Sequence, residues 1–176
     1  MEKTSFSSSP CSIARSLDVL GDWWNPLIIR ECLYGVHRFD EYQKHLGIGR
    51  NILTRRLKQL VGEGLLERRL YQEKPQRYEY HLTEKGYDAA RVLLGFMSFG
   101  EKWYFDSGKD PIRLYDRDSG AQVVPLLVDA ATKKPIDPQK LYAGPGPGFP
   151  ESDVVRRERF DEFFRRKSEV EPNKTT

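Results

Sequence analysis

"RNILTRRLKQLVGEGLLERR", residues 50–69, decides how the rest of the chain is read. With Leu53 at the centre of a helical wheel, Leu57 and Leu60 fall within about 40 degrees of it. Those three leucines want a core. Asn51, Thr54, Arg55 and Lys58 fall between about 100 and 200 degrees, on the opposite side. Such a helix meets the demands of the DNA major groove, where each base pair shows its own pattern of donors, acceptors and methyls. Arg55 and Arg50 can grip guanine, Asn51 can pair with adenine, and Thr54 can touch a base or a phosphate. Lys58 fits a phosphate, which sets affinity and register without carrying sequence. Arg56, at the rim of the buried face, reads as an internal ion-pair partner.

Immediately upstream, "RFDEYQKHLG" (residues 38–47) predicts a shorter helix with apolar marks at Phe39, Tyr42 and Leu46, closed by Gly47. Two helices joined by a tight glycine turn match the helix-turn-helix plan. Downstream, "LLERRLYQEKPQRYEYHLT" (residues 65–83) alternates and is rich in Tyr and Leu. Its middle, "QEKPQR", reads as a hairpin tip between two strands. The sum is a winged helix. Lys74, Gln76 and Arg77 at that tip can follow the sugar-phosphate chain or enter the minor groove. Arg38, just ahead of the first helix of the pair, is a candidate phosphate clamp.

Further out, Ser12 is placed to cap a first helix carrying Ile13, Leu17 and Leu20 on one face and ending at Gly21. Asn25-Pro26 reads as cap and first turn of a second helix that stops at Gly35. "TEKGYDAARVLLGFMSFGEKWYF" (residues 83–105) supplies a long last helix, with Thr83 as its cap and Ala90, Leu93, Leu94, Met97 and Trp103 as apolar marks. Gly95 and Gly100 admit a kink or a close helix contact. Residues 1–10 read as a disordered, Ser-rich N-terminus, and residues 11–105 as a DNA-binding and dimerisation domain. Residues 106–150 read as a small β-rich extension with strand-like runs at 112–115 and 122–128. Residues 151–176 form a charged tail in which Phe160, Phe163 and Phe164 suggest a helical stripe.

The chain of 176 residues carries a net charge of +3, but the excess is regional. From Arg38 to Arg77 there are ten cations and five acids, a net of +5. A local positive field of this kind favours a polyanion. Two cysteines write no disulfide framework. No run approaches a membrane span and no leader is visible, which points to a soluble, cytoplasmic protein with no membrane partner. His37, His45 and His81 have no partners at metal-ligand spacing, and no Ser-His-Asp set, P-loop or Rossmann fingerprint appears. The expectation is therefore no metal, no cofactor and no enzyme. Trp23, Trp24, Trp103, Tyr104 and Phe105 are read chiefly as dimer core, with a ligand cavity between the first and last helices as the alternative.

The stretch from Leu20 to Gly86 resembles the HxlR-type winged-helix transcriptional regulators. The marks are the Gly-x-Trp at residues 21–23, "RFDEY", "ILTRRLKQL", "GLLERR" and "YEYHLTEKG". The resemblance covers residues 11–105, and residues 106–148 resemble an extension of longer family members. It implies a homodimer built from the first and last helices, with two reading heads on a pseudo-palindromic operator. It also marks Cys11, just before the first helix, as a candidate redox sensor. A thiolate near a helix N-terminus is favoured by the backbone dipole, whereas Cys32 lies on an apolar helix face and reads as core. Two departures stand out. Asp22 occupies a position that is often Lys, and Gly49 one that is often Ser, which removes a side-chain cap from the reading helix.

The fold expected is α+β, a winged helix-turn-helix with flanking N- and C-terminal helices and a small β appendage. The function expected is sequence-specific regulation of transcription on double-stranded DNA by a homodimer, with a small-molecule effector or thiol oxidation as the switch. Two rivals stand beside it. One is a winged-helix interaction module whose basic face meets an acidic protein; the other is an enzyme or ligand-sequestering protein working through residues 106–150.

Overall fold

Three leucines on one stripe organise the molecule: Leu53, Leu57 and Leu60 are all buried to within 1% of full burial. Each contributes about 2 kcal/mol by leaving water. They belong to α4 (Arg50–Gly62). The computed structural model describes residues 5–106, 108–153, 157–162 and 165. Before α4 come α1 (Ser12–Leu20), α2 (Trp24–Leu33) and α3 (Phe39–Leu46). After it come β1 (Leu66–Gln72), β2 (Arg77–Leu82) and the 21-residue α5 (Glu84–Tyr104). Ile28, Ile29 and Cys32 of α2, Val36, Tyr42 of α3, Ile48, Leu65, Leu66, Leu82, Ala89 and Ala90 complete the buried core around the α4 stripe. This is a winged helix-turn-helix.

Glycines set the turns where the backbone demands it. Gly47 closes α3 with φ +61 and Gly64 ends the α4 connection with φ +71, both in the left-handed region that a side chain resists. Gly86 has a different reason: a Cβ there would lie 2.2 Å from the Leu65 carbonyl oxygen. Thr83 caps α5 as expected, its hydroxyl accepting from Gly86 N at 3.1 Å and donating to the Gly64 carbonyl at 2.6 Å. One side chain thus ties the last helix to the end of the helix-turn-helix.

The wing is antiparallel, with Leu66 opposite Leu82, Arg68 opposite Tyr80 and Leu70 opposite Tyr78, and an irregularity between Leu70 and Gln72. A third segment joins it: Arg38 bridges Glu79, and Tyr80 N donates to the His37 carbonyl at 2.8 Å. The wing is therefore fastened to the start of α3 as well as to the end of α4.

Three local expectations shift. α1 begins at Ser12 itself, with Cys11 in the cap position and no side-chain cap. Asn25 lies inside α2 and is fully buried; its Nδ2 donates to the Val19 carbonyl at 2.6 Å, joining α2 to the end of α1. Asp22 takes over at the head of α2, its carboxylate accepting from Trp24 N at 3.1 Å. Gly95 and Gly100 sit in open space within an unbroken α5, with no close helix contact among the described residues.

In the extension, β3 (Leu114–Tyr115) pairs antiparallel with β4 (Gln122–Val123). The second run stops short of Val128 because Pro125 has no N–H to give a ladder; Val128 instead bridges Pro135. A 3₁₀ turn follows at Pro138–Lys140. The tail is helical at 157–162 and 165, and Tyr142 donates its hydroxyl to the Phe160 carbonyl at 3.0 Å. Phe163, Phe164 and the expected helix beyond them lie outside the described residues, as do residues 1–4. Within the described part of the N-terminus, Phe6 N donates to the Asp18 carboxylate at 2.7 Å. No helix among the described residues is long and apolar enough to cross a membrane.

Candidate nucleic-acid interface

Seating α4 on its leucine stripe turns Asn51, Thr54, Arg55 and Lys58 outward, and all four are exposed. The helix starts at Arg50 behind Gly49, which supplies no side-chain cap. Its first-turn N–H groups are left for water or for an anion, as helix N-termini favour.

The nine cationic or polar residues picked out in the sequence divide by what already holds them. Asn51, Arg55, Lys58, Lys74 and Arg77 are exposed, and their side chains have no hydrogen-bond or ion-pair partner among the described residues. Arg50 reaches back over the Phe39 ring, 5.6 Å from its centroid. Thr54 donates its hydroxyl to the Arg50 carbonyl at 2.9 Å, leaving its methyl and its oxygen lone pairs outward. Gln76 accepts from the Tyr78 hydroxyl at 3.1 Å. Arg38 is the most committed of the nine. Its Nε donates to Glu79 at 2.9 Å while its guanidinium lies 4.5 Å over the Tyr71 ring. The Glu79 hydrogen bond raises the pKa of Arg38 and, reciprocally, holds the Glu79 carboxyl below its ordinary value. Half of the Arg38 side chain still faces solvent.

Arg56 is an internal ion-pair partner, as its place at the rim of the wheel implied. Its guanidinium pairs with Asp22 and donates to Gln59 at 3.1 Å, with only 12% of the side chain exposed. The tip is braced from within: Gln72 Nε2 donates to the carbonyls of Lys74 and Pro75 at 3.1 and 3.2 Å. Lys74 is thereby held on a defined turn.

Two features escaped the sequence reading. Ile52, 37% exposed beside Asn51, places an apolar group on the outward face of α4. Position on the wheel could have flagged it. An apolar cavity of about 310 Å³ lies between α2, α5 and the start of the extension. It is not the aromatic cavity considered above. Trp23, Trp103 and Tyr104 are 76%, 64% and 73% exposed, and of that group Phe105 alone lines it.

Cys11 and Cys32 are free thiols. Cys32 is buried, and burial pushes its pKa up, away from the reactive thiolate. Cys11 is half-buried, with its backbone N–H on the Ser9 hydroxyl oxygen at 3.2 Å. No group of three or more His, Cys, Asp or Glu side chains among the described residues is arranged to hold a metal.

The profile of the HxlR-like helix-turn-helix family matches residues 19–107. An uncharacterised HTH-type transcriptional regulator of Mycobacterium tuberculosis is 36% identical over 138 residues, covering 78% of this chain and 87% of its own. A solved structure described as that of a transcription factor superposes with a TM-score of 0.70 at 34% identity. It covers 80% of this chain and 99% of its own. A second, from Pseudomonas aeruginosa, gives a TM-score of 0.58 at 40% identity, covering 85% and 99%.

Proposed function

The chain belongs to the HxlR-like helix-turn-helix family of transcriptional regulators, and on that premise we propose that it reads a specific double-stranded DNA operator as a homodimer. The observation that carries the reading is the state of α4: its leucine face is buried while Asn51, Arg55 and Lys58 stand exposed with their hydrogen-bonding capacity unspent. In this reading α4 enters the major groove, with Arg50, Asn51, Thr54 and Arg55 toward base edges and Lys58 toward phosphate. Lys74, Gln76 and Arg77 follow the adjacent backbone or minor groove, and Arg38 meets phosphate with the half of its side chain left free. Residues 11–105 are the DNA-binding and dimerisation unit.

Dimerisation is supported by apolar surface that a single copy leaves open. Ile13 and Leu17 on α1, and Phe96, Phe99 and Trp103 on α5, are between 46% and 72% exposed. Exposed apolar surface on this scale marks an association site, and a twofold arrangement of the two helices would cover it and present two reading heads. Of the two thiols, Cys11 is the one placed to respond to an oxidant, since Cys32 is sealed in the core.

A gel-shift titration on duplex DNA at several salt concentrations tests the reading. Steep salt dependence, and loss of binding on Arg55→Ala or Lys58→Ala in a chain that stays folded, is the expected result. The competing reading, an interaction module for an acidic protein, predicts salt-insensitive, negligible DNA binding in the same titration.

A further inference from the structure

The cavity between α2 and α5 has one unanswered charge in its wall. Leu27 and Leu33 of α2, Leu94 and Met97 of α5, and Ile112 and Leu114 of the extension give it apolar sides. Three aromatic residues, Tyr34, Phe96 and Phe105, complete the lining. Its volume, about 310 Å³, is at the small end of the range for drug-sized ligands. The charged residues in the lining are Arg30 and Glu101. The charge of Arg30 is answered by its neighbour: its Nε and Nη2 both donate to Glu31 Oε1, at 3.2 and 2.5 Å. Glu101 has no hydrogen bond and no ion pair among the described residues.

An unpaired, half-buried carboxylate in the wall of an open, apolar and partly aromatic cleft favours one class of guest. A neutral apolar molecule would bury its surface but leave Glu101 without a partner, and an anion would be repelled by it. An organic cation answers the charge, and aromatic faces attract it further. We propose that this cavity binds a small organic cation with an aromatic body, its charge set against Glu101. This deepens the regulator reading above by giving it an effector site. The site also touches the DNA-binding half of the molecule: Arg30 holds Glu31, whose other oxygen bonds His45 of α3 at 3.0 Å. A cationic guest beside Arg30 therefore sits at the start of a chain of contacts that ends on the helix-turn-helix.

Calorimetric titration of the full chain with three probes sharing one aromatic body tests this. The probes are (1-naphthylmethyl)trimethylammonium, 1-naphthalenemethanol and 1-naphthaleneacetate. The cation is expected to bind at least tenfold more tightly than the alcohol, with the acetate weakest. Glu101→Gln should lower the affinity of the cation at least fivefold and leave that of the alcohol unchanged. Gly100→Leu, which grows a side chain from an open position in the lining, should abolish binding of both while the circular dichroism stays native. Equal affinities for cation and alcohol overturn the proposal, as do tighter binding of the acetate, a cation preference that survives Glu101→Gln, cation binding that survives Gly100→Leu, or no binding by any probe. No DNA is present in these titrations, so their failure leaves the operator reading standing.

Discussion

Asp22 and Arg56, 34 positions apart, form an ion pair that fastens the head of α2 to the middle of the reading helix. The same carboxylate accepts the backbone N–H of Trp24, so one side chain both starts α2 and orients α4. Arg56 is nearly covered, and its Nε has no partner among the described residues. Removing Asp22 would leave a largely desolvated guanidinium uncompensated. Asp22→Ala is expected to cost about 2 kcal/mol, below the full cost for a buried pair because both groups keep some solvent. Replacing both partners by apolar residues, Asp22→Leu with Arg56→Met, is expected to recover part of that loss. Urea unfolding of the two variants checks it; a single variant as stable as the parent sinks the idea that this pair holds α4.

Gly86 tests the junction between α4, the wing and α5. A methyl group there meets the Leu65 carbonyl oxygen at 2.2 Å and the Leu82 side chain at 2.9 Å, and backbone cannot step aside as a flexible side chain can. Gly86→Ala is therefore expected to destabilise by about 3 kcal/mol, despite the better helix propensity of alanine. Gly95→Ala and Gly100→Ala, with nothing near their Cβ positions, are expected to stabilise α5 slightly. Thermal melts of the three variants read the contrast directly.

These junctions show where sequence was informative. The leucine stripe of α4, the left-handed glycines, the Thr83 cap and the hairpin tip are all local signals, readable within a few residues of each other. Arg56 could be seen to lie at the rim of the buried face, but its partner comes from a segment that local spacing cannot reach. Asn25 looked like a cap because Asn-Pro is a strong local start signal. Packing overrode it: Asn25 is fully buried, and its amide is used across the α1–α2 joint. The cavity was invisible for the same reason, since it is assembled from residues 26–34 and 93–114. Trp103, an apolar mark of α5 read chiefly as dimer core, is 64% exposed in a single copy.

The Arg38–Glu79 pair gives the wing a pH dependence whose sign can be worked out. The Arg38 hydrogen bond holds the Glu79 carboxyl below its ordinary value of 4.5, with His81 adding in the same direction. In the unfolding window the unfolded chain thus binds more protons than the folded one at this site. The stabilisation is present above the ordinary value and is lost as pH falls through the folded one. At pH 7 Glu79→Gln is expected to melt below the parent. The gap should narrow as acid is added and vanish once the parent's carboxyl is protonated. A gap that widens on acidification contradicts the assignment.

Asn51 and Lys74 separate the reading of sequence from the gripping of backbone. Both are exposed and unspent, but Asn51 lies in the first turn of α4 and Lys74 on the braced tip between β1 and β2. An asparagine amide can pair with an adenine edge, worth about 1–3 kcal/mol of discrimination against the wrong base. A lysine near phosphate carries no sequence, but it displaces a counterion and adds about 1 to the salt slope. Asn51→Ala is therefore expected to relax base preference at one position in each half-site, with the salt slope intact. Lys74→Ala is expected to weaken every duplex alike and to flatten that slope. Selection from a random duplex library, followed by titration of selected and scrambled sites at two salt concentrations, measures both quantities. If each substitution lowers affinity equally on every duplex, α4 is not the element that reads the bases.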